Sequence, residues 1–201
     1  MPAAPHEVGR RERNKQAKLD RITAAARELF SEHGVDDVTT QQIADRADIG
    51  TGTLFLYAKT KGELLLLVQN SSYADALARG AAAAEAESNP LDAVIAIIRP
   101  VVECNRVQVD NGRTYLREIV FGDPEEPYHR AALELSYRTE GAIAAVLGRD
   151  ARVSAGEAAT IAHIISAIMF ISMAASVNVP KTVDDVVNEI AGQVRALLPA
   201  A

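Results

Sequence analysis

A lone cysteine, Cys104, and four histidines, His6, His33, His129 and His163, are the side chains of this 201-residue chain suited to thiol, imidazole or soft-metal chemistry. Nucleophilic catalysis needs a base beside the nucleophile, and a zinc site needs ligands at short fixed spacings. No His lies near Cys104 in sequence, and no two His show a spacing such as H-x-x-x-H. A single Cys also excludes an intrachain disulfide framework and a Cys-rich zinc site. No catalytic, metal or cofactor site is therefore expected. A different chemistry fits the residues better. Thr40, Gln41, Thr51, Gly52, Thr53, Tyr57 and Lys61 cluster within one short stretch, preceded by Arg10, Arg11 and Arg13. Hydroxyls, an amide and cations are the groups that meet phosphate oxygens and base edges.

The charge distribution points the same way. The chain carries 21 Lys+Arg and 27 Asp+Glu, a net charge of −6. Residues 1–62 are nearly balanced at +1, and residues 63–201 hold the remaining −7. Residues 10–21 hold six basic side chains (Lys15, Lys18 and Arg21 besides the three arginines) against Glu12 and Asp20. An acidic protein with a basic leading end can place that end alone on a polyanion. The 48% apolar fraction is that of a folded globular chain. The positively charged N-terminus has no apolar segment after it, so no secretory signal is expected and a reducing cytoplasm is the default.

The elements that must position these residues are helical. Ala occurs 36 times, Trp is absent, and apolar stripes recur at helical rather than strand period. Ile22, Ala25, Ala26, Leu29 and Phe30 share one helical face, ended at Gly34. Thr39 to Gln42 reads as a capping box for a helix to Ala47, Asp48-Ile49-Gly50 as a tight turn, and Thr51 to Tyr57 as a second short helix. A second box, Thr60 to Glu63, opens a long helix toward Ala86. Further helices are expected over 90–109, 113–121, 127–147, 154–176 and 183–198. The division is a basic arm (1–16), a helix-turn-helix head (17–62) and a helical body (63–201).

Two short helices joined by a tight turn have helix-turn-helix dimensions. Thr40 and Lys61 fall in first turns of helices, where free N–H groups and the helix dipole attract phosphate. The hydroxyl of Tyr57 can reach a phosphate. Thr51, Gly52 and Thr53 open the second short helix, and Gln41 projects from the first. Threonine can bond either base type, Gly52 lets backbone approach closely, and glutamine pairs with adenine N6/N7.

Residues 21–67, from RITAAARELFSEHG through TTQQIADRADIGTGTLFLYAKTKGELLLL, resemble the N-terminal DNA-binding domain of the TetR (tetracycline repressor) family. The Thr-Thr, Ile-Ala, Gly-Thr-Leu and Lys-x-Glu-Leu elements stand at family spacing. The resemblance implies an all-α fold of about nine helices: a three-helix helix-turn-helix domain, then an effector-binding and dimerisation bundle. It implies that Gln41, Thr51, Gly52 and Thr53 meet base edges. Thr40, Tyr57, Lys61, Arg10, Arg11 and Arg13 are expected on phosphates, with Phe55 contributing its backbone N–H. Phe55 stands where the family usually has Tyr, Ala58 where Phe is usual, and Gly50 where a Ser cap is usual. The implied function is a ligand-responsive regulator, a repressor that releases a palindromic operator when a small apolar molecule binds. An architectural DNA binder without an effector is the alternative, and an all-helical enzyme a more remote one.

The body matches the family only in length and helical character. Residues 158–179 contain no charged side chain, long enough to span a bilayer. His163, Asn178 and several hydroxyls argue against a span, so a helix buried on nearly all sides is expected. A second copy is the simplest cover. A two-fold homodimer across helices 154–176 and 183–198 follows, with Ala162, Ser166, Ala167 and Ala174 small enough for close approach. An effector pocket is expected among the middle helices, walled by Ile98, Val102, Cys104, Tyr115, Ile119, Phe121, Tyr137, His163 and Met169. Glu103 and Arg106 are the charged residues nearest it.

Overall fold

The computed structural model describes residues 9–198. Among these, every regular element is helical: nine α-helices and one 3₁₀ turn. The first three, α1 (Arg10–His33), α2 (Thr40–Arg46) and α3 (Thr51–Leu54), form the head. Ile22, Ala26, Phe30, Ile43, Ala44 and Leu54 close its core and are all but inaccessible. Gly34 ends α1 at φ +77°, and its N–H bonds back to the Phe30 carbonyl. A Cβ there would also collide with the Gln108 amide, so only glycine fits. The Thr39–Gln42 capping box opens α2 in both directions. The turn between α2 and α3 puts Asp48, not Gly50, in the left-handed region, at φ 54°. Asp tolerates that conformation through its short polar side chain.

Two expected boundaries move. Residues 10–16, expected in an arm, are the first two turns of α1, because Arg, Glu, Lys and Gln are good helix formers and no Gly or Pro interrupts them. Residues 1–8 of that arm lie outside the described residues. The reading element is regular only to Leu54 and then tightens through turns to Tyr57, shorter than the 51–57 helix expected.

The body follows as α4 (Lys61–Glu85), α5 (Pro90–Arg106), α6 (Val109–Phe121), α7 (Pro127–Leu147), α8 (Ala155–Ala174) and α9 (Val183–Leu197). Side-chain caps at Thr60, Asn89, Gln108, Ser154 and Thr182 open five of them. α5 continues past Pro100. α6 begins at Val109, four residues before the position expected, because Gln108 accepts from the Asn111 N–H. By length and composition α8 is apolar enough to cross a membrane, yet in the fold it packs against α7 and α9.

Head and body meet through α6 and the two ends that flank it. Asn111, 3% exposed, accepts from the Val35 N–H at 2.6 Å and donates to the Phe30 carbonyl at 2.8 Å. One side chain thus satisfies two backbone groups of the head from inside the body. At the other end of α6, the Glu118 carboxylate lies against Gly62, where a Cβ would displace it. Next to it, Glu63 is buried in the first turn of α4 and accepts from the Tyr128 and His129 N–H groups at the start of α7. Burial is the main reason its carboxyl is pushed up to about 7, and the nearby Glu126 charge adds to the rise. Glu126 itself is paired with Lys59.

Candidate nucleic-acid interface

The reading face is built by the α2–α3 pair. Gln41 lies exposed in the first turn of α2, with Thr51 at the start of α3. Thr51 Oγ1 donates to Gln41 Oε1 at 2.6 Å, and Gln41 Nε2 donates to Asp45 Oδ1 at 2.7 Å. The amide is therefore held in one orientation. It keeps one N–H and one lone pair for a further partner, the bidentate pattern that adenine N7 and N6 complement. Asp45 is the residue that the motif did not reveal; its position one turn beyond Gln41 is the signal. No atom comes within 4 Å of a Cβ built on Gly52, so glycine is not required there by the fold.

Thr53 faces a groove of about 950 Å³ between α3 and the first turns of α1, lined by Arg10, Arg11, Glu12, Asn14, Lys15, Lys18, Thr53, Leu56 and Tyr57. Arg11, Lys15 and Lys18 recur at i, i+4 and i+7, one face of a helix. That pattern becomes meaningful only once α1 is known to start at Arg10, which is why Lys15 and Lys18 escaped the motif. Arg13 is exposed on the same turns. Thr40 is half-buried as the first residue of α2.

Three phosphate-site expectations change in detail. The Phe55 N–H donates to the Thr51 carbonyl at 3.2 Å, so it is spent inside the turn and Phe55 offers an exposed ring instead. Lys61 Nζ donates to the Asp36 carbonyl at 3.1 Å, which places the ammonium over the α1–α2 loop. Tyr57 is half-buried against the head core, its hydroxyl 3.5 Å from the Lys15 carbonyl.

The body holds a narrow cavity of about 60 Å³ among α4, α5, α6, α7 and α8. Tyr115, Ile119 and Met169 line it as expected; Tyr73, Val101, Leu116, Ala132, Leu135, Ser136, Thr139, Ser166, Phe170 and Met173 complete it. No lining side chain is charged. Tyr73 and Tyr115 stack with ring centroids 4.2 Å apart. The Tyr73 hydroxyl accepts from Asn105, and the Tyr115 hydroxyl donates to Asn70. Ser136 and Thr139 bond back to carbonyls of their own helix. The polar atoms named are thus already satisfied, and burial pushes both tyrosine hydroxyls far above the usual range.

Eight other wall residues do not line it. Ile98 and Val102 are fully buried behind it in the core. Cys104 is half-buried with its thiol pushed up to about 11 by burial. Glu103 is exposed, and Arg106 is committed to the carbonyls of Asn178, Val179 and Lys181, holding the α8–α9 connection. Phe121 and Tyr137 are 82% and 64% exposed. His163 is exposed and bonds Glu140 at 3.1 Å. The reason is phase. α7 turns Ala132, Leu135, Ser136 and Thr139 inward, which carries Tyr137 out. α8 is apolar all round, so its sequence did not fix which face is internal.

The same ambiguity displaced the dimer residues. Ala162 is fully buried within its own chain, and Ser166 lines the cavity. Ala174 is half-buried with its carbonyl bonded by Arg113. Ala167 alone of the four lies on the open face, beside Ile164 and Ile171.

Residues 22–68 match the profile of bacterial regulatory proteins of the tetR family. Solved structures resemble the whole chain. A TetR transcriptional regulator from Rhodococcus sp. RHA1 superposes with a TM-score of 0.69 at 18% identity, covering 92% of this chain and 97% of that one. FadR of Thermus thermophilus, a TetR-family transcriptional repressor solved with lauroyl-CoA, gives 0.69 at 19% identity, covering 91% and 96%. SCO4454 of Streptomyces coelicolor, a TetR-family regulator, gives 0.61 at 20% identity, covering 90% and 94%. No curated protein matches. Residues 22–68 thus resemble the tetR family of bacterial regulatory proteins, and the chain as a whole has the fold of solved TetR-family transcriptional regulators.

Proposed function

We propose that this chain is a ligand-responsive repressor that grips a palindromic operator as a homodimer and lets go when a neutral, apolar molecule enters the body. The observation that carries the reading is the Thr51–Gln41–Asp45 network: an exposed amide locked in one orientation on a helix-turn-helix, beside a groove walled by cations. Gln41, Thr51, Gly52 and Thr53 then meet base edges. Thr40, Tyr57, Lys61, Arg10, Arg11 and Arg13 meet the phosphate rails. Preorganised donors lower the ordering cost of a specific complex.

Dimerisation is supported by α8. Only 33% of its apolar window is buried within the chain, and Ile164, Ala167 and Ile171 lie on its open face. A second copy would cover that face, and two heads about 34 Å apart would read two half-sites.

An effector reading is supported by the cavity and by α6. Tyr115, Leu116 and Ile119 of α6 line the cavity, while Asn111 of the same helix bonds the head and Glu118 lies against the first turn of α4. At about 60 Å³ the cavity is well below the roughly 300 Å³ of an ordinary ligand site, so an occupant must push its wall outward. Met169 and Met173 can yield, being unbranched and flexible along the side chain. Displacing α6 would then bias head spacing, a population shift between competent and incompetent dimers. An acyl chain of the kind carried by the ligand of FadR fits these uncharged walls.

The test is a selection of duplexes from a random pool, followed by a salt titration of the selected site and of random DNA. The regulator reading expects an inverted repeat, a steep salt dependence and at least about 10³-fold preference over random duplex. Fatty acyl compounds added to the complex should release it. Equal affinity for random DNA would favour the architectural alternative.

A further inference from the structure

Ten large apolar side chains stand exposed among the described residues, and two of them, Phe55 and Leu56, are on the head. Leu56 is 83% exposed on the floor of the groove between α1 and α3. Its N–H bonds to the Thr53 carbonyl at 3.1 Å, so Leu56 follows Thr53 by one tight turn on the same face. Whatever Thr53 meets in a groove of DNA, Leu56 meets one step further along.

The walls around it define the occupant. Residues 10–18 are exposed on every side, and Ile22 is the first fully buried residue of α1. About two and a half turns of helix therefore lie open to solvent and carry Arg10, Arg11, Lys15 and Lys18 along the groove, against Glu12. A helix that is polar all round gains little from packing on its own chain. A polyanion complements it. A leucine at the floor of such a seat should not face phosphate, because it would strip water from the anion without replacing it. It suits the apolar part of a base edge, and in the major groove that is the thymine C5-methyl.

Resting on the DNA-binding reading above, we propose that Leu56 is a specificity-determining residue that packs against a thymine methyl, on a strand held in place by the cations of the first turns of α1.

The test uses the full chain and the duplex it selects, with each thymine replaced in turn by deoxyuridine, which removes only the 5-methyl. The wild type is expected to lose about fourfold in affinity at one thymine of each half-site, the worth of one buried methyl group. Leu56→Ala should bind the parent duplex about four- to tenfold more weakly and no longer respond to that methyl. The side chain is exposed, so the variant's circular dichroism should match the wild type. Variant and wild type responding alike at every thymine would overturn the proposal, as would a Leu56→Ala variant that binds as tightly as the wild type. A loss blind to the methyl would mean that the leucine rests on deoxyribose, and it too overturns the proposal. Failure of the wild type to select any duplex would sink the DNA-binding reading itself, before any variant is compared.

Discussion

The groove beside α3 encloses about 950 Å³ and is walled by four cations against one carboxylate; the body cavity encloses about 60 Å³ and has no charged wall. The groove is made mostly of side chains that project into solvent, Arg10, Arg11, Lys15, Lys18 and Leu56 among them, with Tyr57 alone packed on the head core. The cavity is made of side chains that the fold depends on, with the polar atoms of Tyr73, Tyr115, Ser136 and Thr139 bonded inside the chain. A concavity of the first kind should lose its ligand on mutation and keep its stability. One of the second kind should lose stability before it loses anything else.

The hardest break on the cavity side is Tyr115→Ala. Tyr115 is 2% exposed, stacks on Tyr73 and bonds Asn70. Its removal should cost about 3–5 kcal/mol in urea unfolding, from lost burial and an unfilled hole. A loss below about 1 kcal/mol would show that the wall is already loose, and the contrast with the groove would fail.

On the groove side, replacing Arg10, Arg11, Lys15 and Lys18 together by Gln should weaken the selected duplex by about 10²–10³-fold near 0.1 M salt and flatten the logarithmic salt slope by roughly 3–4. The urea midpoint should not fall, because these residues are exposed and crowd like charges together. An unchanged slope would mean that the first turns of α1 never touch a strand.

Between the two concavities lies the joint, where a single carboxyl connects α4 to α7. With its carboxyl near 7, Glu63 keeps a proton in the folded chain that the unfolded chain releases near 4.5. The folded state thus binds more protons between those values, and stability should fall as pH rises from about 4.5 to 7 and level off above. Glu63→Gln, neutral at every pH, should remove that slope and stabilise the chain at pH 8 by about 1–3 kcal/mol. Unfolding midpoints at pH 5 and 8 measure it; identical slopes in both proteins would place the titration elsewhere.

The head was legible because each of its signals is local. The capping box at Thr39, the Thr60 side-chain cap, the stop at Gly34 and the apolar stripe from Ile22 to Phe30 are each settled by neighbours in sequence, although Glu63, expected to complete a box with Thr60, turns to α7 instead. The start of α1 was missed because a charged run reads equally as tail or helix, and no apolar stripe marks it. The body depended on helix phase. α8 carries apolar residues on every face, so only packing could show that Ala162 points in and Ala167 out. Asn111, which binds head to body, and Glu63, which ties α4 to α7, act across long stretches of chain and left no spacing to read.

The finest comparison lies within the reading face itself. Thr53 sits in the cationic groove, whereas Gln41 is held by Thr51 and Asp45 outside it. Thr53→Ala removes one hydroxyl and one methyl from a half-buried side chain. It should relax preference at a single base pair by about 1 kcal/mol while leaving the salt slope unchanged. Asp45→Ala frees the Gln41 amide to rotate without touching DNA. It should blur preference at a different base pair, by a similar amount, and Gln41→Ala should add little to it, since the two act as one unit. Selection of duplexes by the three variants reads both outcomes. If Asp45→Ala and Gln41→Ala were additive, the amide would be positioned by the DNA and not by the protein.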